Sequence, residues 1–284
     1  MNDQFEIVTI RPGVHSLRCK ANNETFHPVV GPMEEARTLH VAQHRLEERA
    51  SCNPLIVWDV GLGAAANAVA LLETITAGKK HPKAEIHSFD STLEPVKFAL
   101  QNPETLDYLQ PWQELIKELL LNGHVSMENL TWHYHQGDFQ ELVKASPAPL
   151  PHAVLYDPYS PVSNHGMWTL EHFTNLFQTL SKGGPATLTS YSRSTTVRVT
   201  LLLAGFAVGR GVATGEKEET TIAATDPSLL QSPLDAAWLE RVRRSTKSAP
   251  LKVQGSEKII TTEELVRLHA SISRQSLIRA SCVK

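Results

Sequence analysis

The sequence predicts an α/β fold: a doubly wound, seven-stranded Rossmann-like sheet with a short N-terminal β element and a helical C-terminal extension. Three observations predict it. The apolar run Leu55-Ile-Val-Trp-Asp59 ends in an acid and opens through Gly61 and Gly63 into an alanine-rich stretch, the strand, turn and helix of a nucleotide-binding unit. A second run, Ala84 to Asp90, ends in a carboxylate about thirty residues later, the spacing of one βαβ repeat. A third, Ala153-Val-Leu-Tyr156, leads into Asp157-Pro-Tyr-Ser-Pro161, which puts Asp157 at the carboxyl edge of the sheet, where open α/β folds bind ligands.

The remaining elements follow in order. Residues 1–32 are polar, with Pro12-Gly13 and Asn22-Asn23 turns, and read as a short hairpin. A helix is expected from Met33 to Arg49, its glutamates early, where the helix dipole favours them. After the glycine turn, Asn67 to Glu73 reads as helix. Leu130 to His135 is the next strand, ending in Gly137-Asp138-Phe139 before a short helix, Gln140 to Lys144. The proline-rich stretch 146–151 is a loop into the Ala153 strand. Leu170 to Leu180 reads as a helix closed by Gly183-Gly184, Ala186 to Tyr191 as a strand, and Thr195 to Leu203 as a helix. Phe206 to Val212 and Thr220 to Ala224 form a terminal hairpin. Two more helices, Ala236 to Arg244 and Thr262 to Ser271, are separated by Pro250. The expected division is an N-terminal extension over 1–50, a catalytic domain over 51–226 and a basic helical extension over 227–284.

Composition narrows the function classes. At 284 residues and 41% hydrophobic, the chain can fill one core of about 200 residues and still carry an extension. It has no run of about twenty apolar residues, and the N-terminus lacks signal-peptide character. A soluble, cytoplasmic protein is expected. Cys19, Cys52 and Cys282 are widely spaced, which suits a reducing compartment and argues against a zinc cluster. His133-Tyr134-His135 is the nearest approach to a metal motif, but the sequence suggests no third ligand nearby, so no metal is expected. From Pro227 onward, ten basic residues face five acids, about +5, leaving about -8 on the body. Such a tail fits a polyanion held near the site, or simply a solvated helix face.

The glycine turn points to S-adenosylmethionine. Glycine lets backbone amides approach a ligand closely. A dinucleotide site and a turn that binds nothing remain alternatives, although Ala66 stands where the dinucleotide fingerprint wants its third glycine and no P-loop lysine follows. On this reading Asp59, Gly61, Gly63 and Asn67 surround the cofactor, and Asp90 accepts from both ribose hydroxyls. Asp138 either meets the adenine amino group or caps the next helix, and the two roles are compatible. Asp157, stiffened by Pro158 and flanked by Tyr159, can accept a hydrogen bond from an amine and accept or relay its proton, leaving the nitrogen lone pair aimed at a methyl sulfonium. The alternative is a plain Asp-Pro turn.

The segment Asp157-Pro-Tyr-Ser-Pro161-Val-Ser-Asn164-His-Gly-Met167-Trp168 resembles the loop of the tRNA 5-methylaminomethyl-2-thiouridine methyltransferase family. The likeness continues through His27, Gly31 and Glu35, the Gly61, Gly63 and Asn67 turn, Gly183-Gly184, Tyr191-Ser192, Val197-Arg198, Ala204-Gly205-Phe206, and Gly215, Lys217 and Glu219. Departures are Asp59 and Asp90, where relatives often carry glutamate, Ala65 in place of a third glycine, and acids in 215–219 where relatives commonly carry arginine. The resemblance implies methylation of the amine of a 5-aminomethyl(-2-thio)uridine at the tRNA wobble position, by the form without a flavin oxidoreductase domain. It implies Asp157 and Tyr159 as catalytic residues, with Pro161, Trp168, Lys217 and Glu219 toward the tRNA. Trp168 reads equally as core, and Lys217 with Glu219 as a surface ion pair. Two other classes remain: a methyltransferase acting on the exocyclic amine of adenine, whose Asp-Pro-Pro-Tyr loop the Asp157-Pro-Tyr run partly matches, and a non-catalytic cofactor-binding scaffold.

Overall fold

The computed structural model describes residues 4–49, 51–77, 83–145, 148–213, 218–254 and 257–282. Strands β1 (Phe5–Arg11), β2 (Val14–Cys19) and β3 (Glu24–Thr25) make a small antiparallel sheet. The main sheet comprises β4 (Leu55–Val60), β5 (Ala84–Asp90), β6 (His124–Met127), β7 (Leu130–Gln136), β8 (Ala153–Tyr156), β9 (Thr187–Ser190), β10 (Ala207–Gly211) and β11 (Thr220–Ala224), in spatial order β10-β11-β9-β8-β4-β5-β7-β6. β9, β8, β4, β5 and β7 run parallel, while β6, β10 and β11 pair antiparallel at the edges. All seven expected strands are present. The eighth, β6, escaped the sequence because it has only four residues, of which Val125 alone is buried.

The helices are α1 (Pro32–Glu35), α2 (Ala66–Ala77), α3 (Glu94–Leu100), α4 (Gln113–Asn122), α5 (Phe139–Ala145), α6 (Leu170–Leu180), α7 (Thr195–Ala204), α8 (Ala236–Arg244) and α9 (Thr262–Cys282). Alternate strand residues point to opposite faces, so the sheet divides two cores. Val57, Ile86, Trp132 and Leu155 pack with α2 and α4. Ile56, Trp58, Val154 and Tyr156 pack with α5 to α9. The C-terminal helix reaches the sheet through Gln275, whose amide receives the N–H of Val208 at 3.1 Å and donates to its carbonyl at 3.2 Å.

The expected Met33 to Arg49 helix is not continuous. α1 widens into a π-helix at Ala36–Val41, tightens into a 3-10 turn at Ala42–His44, and stops at Arg45, whose φ of 50° is left-handed. The change of pitch turns His40 and His44 inward, where both are buried. Helices α3 and α4 were also missed, α3 because Pro95 masks a start and α4 because its apolar face is narrow.

Candidate active site

The carboxyl ends of β4, β5, β7, β8 and β9 open onto a cavity of about 760 Å3, closed on one side by Phe26 and His27 of the N-terminal segment. Three backbone bonds set its floor. Gly61 N–H donates to Phe89 O at 2.9 Å, Asp157 N–H to Val60 O at 2.9 Å, and Gly137 N–H to Asp90 O at 3.0 Å. Gly61 has φ 95°, and a Cβ there would lie 2.6 Å from the carbonyl oxygen of Asp157. Only glycine permits the two loops to touch. Ala65, the residue at the departure from the family's third glycine, keeps the left-handed backbone, with φ 64°.

The acids are placed differently from one another. Asp90 lines the cavity, accepting Gly63 N–H at Oδ2 (3.0 Å) and Thr92 N–H at Oδ1 (3.2 Å). Burial raises its carboxyl pKa, and these backbone bonds oppose the rise only in part. Asp59 is fully buried beneath the turn. Its Oδ2 accepts Ser88 Oγ–H at 2.7 Å, and its Oδ1 has no hydrogen-bond partner. Burial pushes this carboxyl up to about 7, against the Ser88 bond and with the charges of Asp157 and Asp90 adding to the rise. Asp138 is exposed, lines the cavity and accepts Gln140 N–H at 2.8 Å, so it stands at the start of α5 and at the cavity edge at once.

Asp157 is the focus. Its Oδ2 receives Asn67 Nδ2–H at 2.9 Å and lies 3.2 Å from His27 Nε2 and 3.6 Å from His40 Nε2. No hydrogen bond reaches Oδ1 from the described residues. Burial by itself raises this pKa, but the electrostatic pull of the nearby His40 and the contact with His27 outweigh it and hold the carboxyl far below the usual carboxylate range. His27 moves the other way: burial lowers its pKa, yet the Asp157 carboxylate, Glu35 and Asn67 raise it on balance. Its φ of 48° is strained for a non-glycine residue. Glu35 holds that strained turn by accepting Val29 N–H at 2.7 Å and Val30 N–H at 3.0 Å.

Behind Asp157 runs a buried polar chain. His40 Nδ1 is 3.2 Å from Thr189 Oγ1, which is 3.1 Å from His44 Nε2; His44 Nδ1 is 2.7 Å from Thr187 Oγ1, which receives Arg49 Nη2–H at 2.9 Å. Because Arg49 can only donate, one polarity satisfies every member. Each hydroxyl donates onward to an Nδ1, each Nε2–H donates to the next oxygen, and the chain ends with His40 offering Nε2–H to Asp157.

The Asp157 loop is fixed from both ends. Glu24 on β3 accepts Ser160 N–H at 3.1 Å and the hydroxyls of Ser160 and Ser163. Trp168 Nε1–H donates to Tyr159 O at 2.8 Å. The Tyr159 ring meets Phe26 edge-on at 5.5 Å within the cavity wall. Burial, then Cys19, pushes its phenol up, so it stays protonated.

Three of the expected substrate contacts fall outside this cavity. Trp168 is fully buried against Tyr156 and Tyr191 and buttresses the loop, because its indole is enclosed by the α6 core. Pro161 is half-buried in the loop behind Ser160 and is not a lining residue. Glu219 is occupied by the buried Arg198 at 2.7 Å, with Arg241 at 3.5 Å and Arg210 at 3.6 Å. Lys217 lies outside the described residues. Conversely, Glu24, His40 and His44 were missed. The i, i+4 spacing of the two histidines on an otherwise core-facing segment was the available signal.

These residues fit the cofactor expected from the sequence. The Gly61 turn is a cradle that a Cβ would fill, and Asp90 lines the cavity with acceptor capacity for hydroxyls.

Comparison with known proteins agrees. A family model described as S-adenosyl-L-methionine-dependent methyltransferase matches residues 105–226. The crystal structure of MnmC2 from Aquifex aeolicus superposes with a TM-score of 0.70 at 25% identity, covering 96% of this chain and 85% of that one. TrmK from M. capricolum, solved with S-adenosyl-homocysteine, is more distant: TM-score 0.33, 11% identity, 83% of this chain and 98% of that one. No curated protein matches the chain. The resemblance carried by the Asp157 loop is borne out: the chain is an S-adenosyl-L-methionine-dependent methyltransferase, similar over most of its length to MnmC2.

Proposed function

We propose that the enzyme methylates the primary amine of a 5-aminomethyl(-2-thio)uridine at the wobble position of tRNA. The observation that carries this reading is the state of Asp157: ionised, anchored through Oδ2 by Asn67, His27 and His40, and with no partner on Oδ1 among the described residues. A carboxylate so held is an acceptor for an amine N–H, not for a hydroxyl that must first be ionised.

The cofactor supplies an electrophilic methyl group on a sulfonium. The chain's residues do the rest. Asp59, Asn67, Gly63 and Asp90 bind and orient the cofactor, with Asp138 at its adenine end. Asp157 Oδ1 receives one N–H of the amine and fixes its lone pair in line, so positioning supplies much of the rate. A free alkylammonium has a pKa near 10, so it must lose a proton before attack. Asp157, held far below the usual range, is a poor acceptor; His27, 3.2 Å away and raised, takes the proton. Tyr159 and Phe26 wall the pocket and stack on the modified base. tRNA as partner and a cytoplasmic location belong to the same proposal, and the basic residues of α8 supply phosphate contacts. Pro161 shapes the acceptor loop, while Trp168 and Glu219 act on the acceptor only through the elements they brace; Lys217 stays proposed as a substrate contact from the hairpin.

The test is incubation with labelled S-adenosylmethionine and tRNA from cells lacking this methylation, followed by nucleoside mass spectrometry. Conversion of 5-aminomethyl-2-thiouridine to its methylamino form supports the proposal. A methylated adenine, or cofactor binding with no labelled nucleoside, overturns it.

A further inference from the structure

On the sheet face away from the α2 core, β5 and β7 bring histidines together that are far apart in sequence. His87 and His133 are register partners on neighbouring parallel strands, with rings stacked at 4.8 Å and 6°. Glu85 stands two residues before His87 on the same face, its Oε2 3.2 Å from His87 Nε2. His135, two residues beyond His133, places Nε2 2.9 Å from His87 Nδ1. One ligand atom each from Glu85, His87 and His133 lie within 4.8 Å of one another. Two of these three groups, Glu85 and His87, come from the strand adjacent to the one that carries the His133 motif.

We propose that Glu85, His87 and His133 form a binding site for a divalent transition-metal ion of the zinc type. Two imidazoles and a carboxylate are a set that zinc takes with its fourth position open to solvent, and the half-buried Glu85 and His133 leave that position accessible. Ligand bonds of about 2.1 Å put two ligands at most about 4.2 Å apart, so the cluster must contract by several tenths of an ångström, which rotation of the Glu85 and His133 side chains supplies. The metal enters at His87 Nε2, in place of the proton shared with Glu85. His87 then carries its proton on Nδ1 and donates it to His135 Nε2, the outer partner that fixes the ring's tautomer. None of the three ligands lines the cofactor cavity, and the proposal is independent of the acceptor assigned above.

Isothermal titration of the metal-stripped full chain with zinc chloride at neutral pH tests it. The expected result is one zinc ion per chain, with affinity at least about tenfold weaker in both His133→Ala and Glu85→Gln, the smallest loss seen even for an outer-shell partner. Retained S-adenosylmethionine affinity reports that each variant is folded, and Glu85→Gln carries the test if His133→Ala does not fold. Absence of saturable binding near one equivalent, or wild-type affinity in a folded variant, overturns the proposal.

Discussion

Asn67 donates its side-chain amide to Asp157 Oδ2 at 2.9 Å, tying the first turn of the cofactor-side helix α2 to the acceptor loop ninety residues away. Both loops leave the same edge of the sheet, and Gly61 lets them touch. Asn67→Ala is expected to lower kcat about 10- to 100-fold, because a displacement of about 1 Å at the reacting groups costs that much. Its effect on S-adenosylmethionine affinity should be smaller, since Asn67 is buried beneath the turn and does not line the cavity. Stopped-flow single turnover and calorimetric binding on the same variant separate the two effects.

The chain from Arg49 to His40 predicts a positioning effect without cofactor contact. Thr189→Val removes the hydroxyl that accepts from His44 and donates to His40, so His40 loses the partner that fixes Nε2–H toward Asp157. The expected outcome is a fall in kcat of roughly tenfold, one buried hydrogen bond's worth, with KM for S-adenosylmethionine unchanged. Thr189→Ser should restore the rate, because it restores the hydroxyl. A valine variant with wild-type kcat contradicts the assigned polarity.

The pH response should run in opposite directions for rate and stability. His27 must be neutral to accept the amine proton, and its pKa is raised above the ordinary 6.5, so kcat is expected to climb through a midpoint above that value. A histidine raised in the folded state contributes stability that is full below its unfolded pKa and lost as pH rises through the folded one. Asp157, lowered on folding, contributes stability that is present above the ordinary carboxylate value and lost only as pH falls through its folded pKa. Asp59 is raised to about 7, so its burial penalty grows as pH rises from the ordinary 3.8 toward 7 and stays above it. Urea unfolding should therefore show highest stability near mildly acidic pH, while the pH profile of kcat rises toward the alkaline side.

Asp59 separates stability from binding. Asp59→Asn removes a buried charge whose Oδ1 has no partner, and the cofactor-free protein at pH 8 is expected to gain about 1–2 kcal/mol. S-adenosylmethionine affinity should fall at least about tenfold, the equivalent of about 1.4 kcal/mol. Denaturant unfolding with and without cofactor checks both signs. A variant that is less stable and binds normally contradicts the cofactor role proposed for Asp59.

What the sequence made legible was whatever one strand or one turn encodes locally. Leu55 to Gly63, Asp90 and Asp157 announced themselves because each sits where an apolar run stops, and the sheet carries all three to one edge. Trp168 was ambiguous since burial and substrate stacking both favour a large aromatic; its enclosed indole and its bond to Tyr159 O resolve the placement. Glu219 was ambiguous for the same reason among ion pairs, and Arg198 claims it. His40 was hidden by a π-turn that no regular period describes, and the grouping of Glu85, His87 and His133 by a register between strands that sequence spacing does not reveal. Short edge elements such as β6 carry too few residues for either period to register.

The central claim is that Asp157 holds the acceptor amine and does not hold the cofactor. Asp157→Ala, measured in parallel for S-adenosylmethionine affinity and for single-turnover methylation of tRNA bearing 5-aminomethyl-2-thiouridine, tests it most directly. The account predicts a rate loss of roughly a thousandfold, the scale of removing a preorganised polar group at the reacting centre, with cofactor Kd changed by less than about threefold, well under the 1.4 kcal/mol of a tenfold shift. A cofactor Kd that collapses in step with the rate contradicts it and makes Asp157 a cofactor ligand.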